Sequence, residues 1–257
     1  MVSDLQQIKT IDEIIVLLEG IILDSERNND PMGYFAALYQ KVTIKVKEGI
    51  TSGFFDDGPR MEQLDIAFAK RYLEAYYSYR LNENTTKSWS VAFDQTSSYW
   101  PIVLQHLLIG INAHINLDLG VAAAEISRGK NLADLQKDFN KINEILSGLV
   151  HEVEGDLSAI WPVLKYILKW TGKIDDFLVD FSMKLARDGA WKFATQLALV
   201  PENKIQSSIA ERDLKVANKA NLILKPGLIA IFALRIIRIT ERGSISEKIL
   251  RLKQMAK

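Results

Sequence analysis

The sequence predicts an all-α protein, a single multi-helix bundle of about nine to eleven helices with no significant sheet. Three observations lead there. Apolar residues recur at spacings of three and four almost from end to end, the period of an amphipathic helix. The alternation of strand and helix that marks parallel α/β folds is missing. Finally, 48% hydrophobic content at zero net charge, 32 basic residues against 32 acidic, gives enough apolar surface to offset the entropy of ordering the chain. No self-similarity of 20–50 residues is apparent, so a solenoid is not expected. All 257 residues are read as one domain, with 244–257 as a peripheral tail helix.

The elements follow in order. From Leu5, the residues Ile8, Ile11, Ile14, Ile15, Leu18 and Ile22 make a first helix fading near Glu26. Asn28-Asn29-Asp30-Pro31 is a turn with proline at a first helical position. The second helix carries Tyr34, Phe35, Leu38, Tyr39, Val42 and Val46. Its stretch Val42-Thr43-Ile44-Lys45-Val46 also alternates like a strand, but the helical spacing reaching back to Tyr34 decides for helix. Glycine-rich Gly49 to Pro59 reads as loop, and Met61 to Leu81 as the third helix, with Leu64, Ala67, Phe68, Arg71, Tyr72 and Ala75 on one side. A short helical piece lies around Trp89–Phe93. Ile102 to Arg128 is apolar on more than one face, which predicts the central, most buried helix. Gly129-Lys130 ends it, and Asn131 caps a helix running to about Ala159. Pro162 opens another helix, followed by Ile174–Val200, 203–221, 227–240 and 246–255.

Composition removes several functions. Without cysteine there is no disulfide scaffold and no thiolate-ligated zinc or iron–sulfur centre. Balanced charge argues against nucleic acid as a partner. The longest apolar run, Leu228 to Leu234, is far short of the roughly 20 residues of a membrane span. Asp4, Asp12 and Glu13 interrupt the start where a secretory signal carries basic and then apolar residues. A cytoplasmic location is therefore expected.

Chemistry has few places to reside. There are three histidines, His106, His114 and His151, and no nucleophile elbow, phosphate loop or HExxH pair. The central helix, however, carries Asn112, His114, Asn116 and Asp118 among apolar neighbours, and buried polar side chains need partners. His114 and Asp118 stand at i and i+4, so their side chains converge. Glu62 and Asp65, at i and i+3 on the third helix, offer carboxylates from a second element. Together Glu62, Asp65, His114 and Asp118 would make a hard site suited to a divalent metal such as Zn²⁺, Mn²⁺ or Fe²⁺. His106 lies roughly 12 Å along the axis from His114 and cannot join them. His151-Glu152-Val153-Glu154-Gly155-Asp156 reads as a solvated surface, and Arg187-Asp188 as an ion pair packed by Trp191.

Two functions stand on these residues. One is a metal-dependent enzyme, a hydrolase in which the ion activates water and a spare carboxylate serves as base. The alternative is a non-enzymatic binding or scaffold protein whose polar residues fix helix register. Aromatic content also allows a small-molecule ligand in an apolar pocket. Arg235–Lys257 carries seven basic residues against Glu241 and Glu247, an amphipathic tail open to an anionic membrane surface but read as a solvated terminal helix, of which residues 244–257 are expected to tolerate removal.

Four runs carry a resemblance: Met61-Glu-Gln-Leu-Asp65, Ala67-Phe-Ala-Lys-Arg-Tyr72, Leu104-Gln-His-Leu-Leu-Ile-Gly-Ile-Asn-Ala-His114-Ile-Asn-Leu-Asp118-Leu119 and Ala186-Arg-Asp-Gly-Ala-Trp191. With them the chain, from about residue 30 to 240, resembles an uncharacterised bacterial family, one of the domains of unknown function. The resemblance implies one all-helical domain of bacterial type and supplies no activity.

Overall fold

The computed structural model describes residues 3–142, 144–145 and 183–254. Among them are ten bounded α-helices and no strand, as the apolar period predicts. The predicted helix at Pro162, the end of the preceding one near Ala159, the start of the next at Ile174 and the His151 cluster lie outside the described residues.

Helix α1 (Ile11–Asn28) begins later than the apolar period suggests. Ser3–Gln7 forms a separate 3₁₀ turn, and Thr10 then caps α1 in a capping box with Glu13. The Thr10 hydroxyl accepts from the Glu13 N–H, and the Glu13 carboxylate accepts from the Thr10 N–H at 3.0 Å. Helix α2 (Met32–Thr51) runs straight through the stretch with strand-like alternation and past Gly49. Helix α3 (Gly58–Arg80) starts on an Asp57 cap with proline in its first turn. Helix α4 (Lys87–Asp94) is followed by α5 (Val103–Ala113) and α6 (Leu119–Ile126). Beyond Gly129, at φ +72°, Asn131 caps a 3₁₀ turn at Leu132–Leu135, and 136–142 is helical. Then come α7 (Met183–Ala198), α8 (Ile205–Leu224), α9 (Leu228–Thr240) and α10 (Ile245–Lys253).

Helices α5 and α6 are one continuous rod. Between them His114–Asp118 takes the wider π-helical turn, a feature no residue spacing announces. The rod is the predicted central element. Its first half packs on α2, α4 and α8, its second on α3 and α7. Two glycines let neighbours come close. A Cβ at Gly110 would lie 2.5 Å from the Phe35 ring, and one at Gly120 would lie 2.8 Å from the Ala190 carbonyl oxygen. The rod is also the one described helix long and apolar enough to cross a membrane, and it is buried within the bundle.

Buried or half-buried carboxylates from distant elements satisfy the open N–H groups at several helix starts. Asp213 accepts from Lys87 and Ser88 at the start of α4, at 2.7 and 2.9 Å. Asp138 does the same for Asp56 and Asp57 before α3. Glu241 accepts from Val103 at the start of α5, and Glu62 from Ile11 at the start of α1. The polar residues of the rod are fixed in the same way. Asn112 donates to the Val216 carbonyl at 2.9 Å and Gln105 to that of Ile223 at 3.0 Å, both on α8. Asn116 donates to Asn112, and Arg212 reaches back to the Asn116 carbonyl.

The C-terminal helix departs from its expected role as a solvated tail. Ile249 and Leu252 of α10 are buried against α1 and α2, Lys248 joins Glu241 at 2.8 Å, and Lys253 pairs with Glu19. Ile249 and Leu252 share the buried side with the paired Lys248, so the net charge of the helix concealed a contact face. Removal of residues 244–257 is accordingly expected to destabilise the protein by several kcal/mol, since two fully buried aliphatic side chains contribute about 1.5–3 kcal/mol each. Thermal unfolding of the truncated chain checks this, and an unchanged midpoint would show that the contacts of α10 are not stabilising.

Candidate functional site

The site is built on Asp118, the last residue of the π-helical turn, whose carboxylate has no exposed surface. Three donors from three elements converge on it. Arg71 of α3 donates from Nε to Oδ1 at 2.8 Å, Trp89 of α4 from Nε1 to Oδ2 at 2.8 Å, and His114 approaches Oδ2 through Nδ1 at 3.1 Å. Burial by itself would raise the Asp118 pKa, yet the Arg71 charge and the bonds from His114 and Trp89 hold it below the ordinary carboxylate range. For His114 burial outweighs the pull of Asp118 and moves the pKa down. The pair is thus a neutral imidazole, with its proton on Nδ1, donating to a carboxylate anion.

The imidazole is enclosed by aromatic rings. Phe68 stacks on it with ring centres 3.5 Å apart, and Tyr39 meets it edge-on at 4.4 Å. Nε2 of His114, the hydroxyls of Tyr39 and Tyr72 and Oδ2 of Asp65 are buried without a hydrogen-bond partner among the described residues. Asp65 is buried in α3, where desolvation and then the nearby Glu62 charge push its pKa up to about 7.

The four residues expected to share a metal are therefore placed differently. His114 and Asp118 come together as predicted, and both point into the bundle. Glu62 is engaged with the start of α1. Among the described residues no three His, Asp or Glu side chains are grouped so as to hold an ion. The physical reason is Arg71. This cation already occupies Oδ1 of Asp118, Trp89 and His114 share Oδ2, and the ring of Phe68, one turn beyond Asp65, covers the imidazole. His106 is likewise a core residue. It packs against Tyr34, and burial lowers its pKa to about 4. Arg187 is buried with its guanidinium over Phe139, while Asp188 is exposed.

A cavity of about 840 Å³ opens on the other side of Asp118. Arg71, Glu74 and Ser78 line it from one face of α3, and Asp118, Val121 and Glu125 from one face of the rod. Asn84, Thr85, Thr86 and Trp89 also line it. Arg71 is the pivotal residue. Its Nε is committed to Asp118, whereas its two Nη groups bond no described residue, and its side chain keeps 20% of its surface exposed. Glu74 stands one turn further on, its pKa raised by burial and, more weakly, by the like charges of Glu125 and Asp118. His114 does not reach this cavity. Sequence reasoning placed Arg71 on the apolar side of α3 without drawing the consequence. An arginine in an apolar stripe demands a buried counter-ion, and Asp118 is that ion.

Comparison with known proteins supplies a family. One family model, described as a family of unknown function, matches residues 11–226. The chain belongs to DUF5995. No curated protein and no solved structure matches it. The DUF5995 match takes in every residue named in the site, from Tyr39 to Glu125, and stops before α9 and α10.

Proposed function

We propose that this DUF5995 protein binds a small polar molecule in the cavity beside Asp118, seating an anionic group, carboxylate or phosphate, on Arg71. One observation carries the reading. Arg71 is oriented by a buried carboxylate through Nε, lines an open cavity, and leaves both Nη groups without a partner among the described residues. A guanidinium held in this way recognises a planar or tetrahedral anion with two parallel hydrogen bonds, at little further entropic cost. The acidic wall of Glu74 and Glu125 supports a second feature of the ligand, an amine or similar donor beside the anion. The cavity also falls in the size range of small-molecule sites. Asp118 is engaged by three donors and His114 does not line the cavity, so the reading places the ligand on Arg71 rather than on the His114–Asp118 pair.

Thermal shift against a panel of small carboxylates, phosphates and their amino-bearing counterparts tests this. A ligand near a hundred times its Kd stabilises by about 2.7 kcal/mol, a shift of several degrees in a chain of this size. Amino-bearing anions are expected to produce that shift, Arg71→Gln to abolish it, and Glu74→Gln to remove the preference for the amine while keeping the response to the anion. A panel without any responding amino-bearing anion, or an undiminished shift in Arg71→Gln, overturns the reading.

A further inference from the structure

Helix α9 packs on the bundle through Ala233 and Ile237 and leaves its opposite face bare. Leu228, Ile229, Phe232, Ile236 and Ile239 form one continuous stripe at helical spacing, with Leu228 88% and Phe232 67% exposed. Scattered exposed apolar residues are ordinary, but a contiguous row of five large ones marks a contact surface. The charges around the stripe are of one sign. Lys225, Arg235 and Arg242 are exposed beside it, no acidic residue occurs between Lys225 and Glu241, and Glu241 itself is withdrawn into pairs with Arg238 and Lys248. Two exposed aromatics adjoin the helix. The Arg235 guanidinium lies over the ring of Trp100 at 4.9 Å, and that of Arg238 over Tyr99 at 4.6 Å.

We propose that α9, with Tyr99 and Trp100, is a docking surface for an anionic lipid bilayer. An apolar stripe flanked by cations, with tryptophan and tyrosine at its margin, fits the boundary between headgroups and acyl chains. Aliphatic residues enter the hydrocarbon, the aromatics sit at headgroup depth, and arginines meet lipid phosphates. At 13 residues α9 is too short to span, so it lies in the surface. A second copy of the chain fits the same face less well. A two-fold pairing of α9 with itself would set arginines against arginines, with no acidic residue on the stripe to offset them. Helix α9 lies outside the part of the chain that matches DUF5995, and neither it nor Tyr99 and Trp100 line the cavity, so the surface is independent of the cavity reading.

Co-sedimentation with vesicles tests the proposal, using equal parts of phosphatidylglycerol and phosphatidylcholine against phosphatidylcholine alone. The full chain is expected to sediment with the anionic vesicles, and to be released by added salt, while remaining in solution with the neutral ones. Replacing Leu228, Ile229 and Phe232 by serine should weaken binding by roughly tenfold or more at an unchanged melting temperature. Should that variant fail to fold, Arg235→Glu with Arg242→Glu, both at exposed positions, is expected to weaken binding to the anionic vesicles similarly. No sedimentation of the full chain overturns the proposal, as does equal binding by folded variants. So does a dimer, seen by analytical ultracentrifugation, that the serine variant converts to monomer without any vesicle binding in the parent.

Discussion

Asp118→Ala is expected to lower the unfolding free energy by about 3–5 kcal/mol, the loss typical when one partner of a buried ion pair is removed. The size follows from what the carboxylate holds. Its removal leaves the Trp89 indole N–H and the His114 Nδ1–H buried without an acceptor, and it strips Arg71 of its counter-ion. Each of the first two costs about 1–3 kcal/mol. Arg71, being partly exposed, recovers some hydration, so most of the loss comes from the two enclosed donors. Urea unfolding of wild type and variant measures the difference. Asp118→Asn serves as the control, because it retains one carbonyl acceptor while removing the charge. A loss below about 1 kcal/mol for Asp118→Ala would mean that the three donors find other partners, and the account of the site would fail.

Asp65→Asn should act in the opposite direction, and only at higher pH. In the folded protein the Asp65 carboxyl has its pKa pushed up to about 7 by burial and by Glu62, whereas an unfolded aspartate titrates near about 3.9. The fold therefore prefers the protonated form. The contribution is fully present below the unfolded value and is lost as pH rises through 7, where ionisation leaves a buried charge whose Oδ2 has no partner among the described residues. Across that window the wild type loses up to about 4 kcal/mol through this one group. Asparagine does not titrate, so at pH 8 the variant is expected to be the more stable by about 2–4 kcal/mol, with the advantage gone near pH 4. Melting curves of both proteins between these limits decide it, and parallel pH profiles would show that Asp65 is not the titrating group.

Helices were legible in this sequence wherever one face meets the core, because burial imposes the three-and-four spacing directly on residue type. The central rod, α2 and α8 were found for that reason. Boundaries were less legible. The Thr10-to-Glu13 capping box stands in the sequence, but the apolar period running on from Leu5 hid the break before it. Within the site, His114 and Asp118 were found because polar residues in an apolar helix must have partners. Their partners were missed because these come from α3 and α4, and one of them, Trp89, resembles any other core aromatic until its indole nitrogen is placed. The cavity was invisible, since it is a property of where several helices fail to meet. The apolar face of α10 was hidden for the converse reason, as its seven-to-two surplus of basic residues in the tail outweighed two aliphatic ones in the count.

The π-helical turn at His114–Asp118 sets a phase relation within the rod. Upstream, the rod is keyed to α2 where Gly110 admits Phe35, and downstream to α7 where Gly120 meets Ala190. The wider turn between them shifts the angular phase of the two notches by about one residue. The extra residue acts as a gear offset, and it falls on the stretch whose ends are His114 and Asp118. The carboxylate that orients Arg71 and the alignment of the two halves of the bundle thus share a single origin. Chains that keep the cavity but lose the offset would have to re-cut one notch, so length in this segment is constrained as tightly as residue identity.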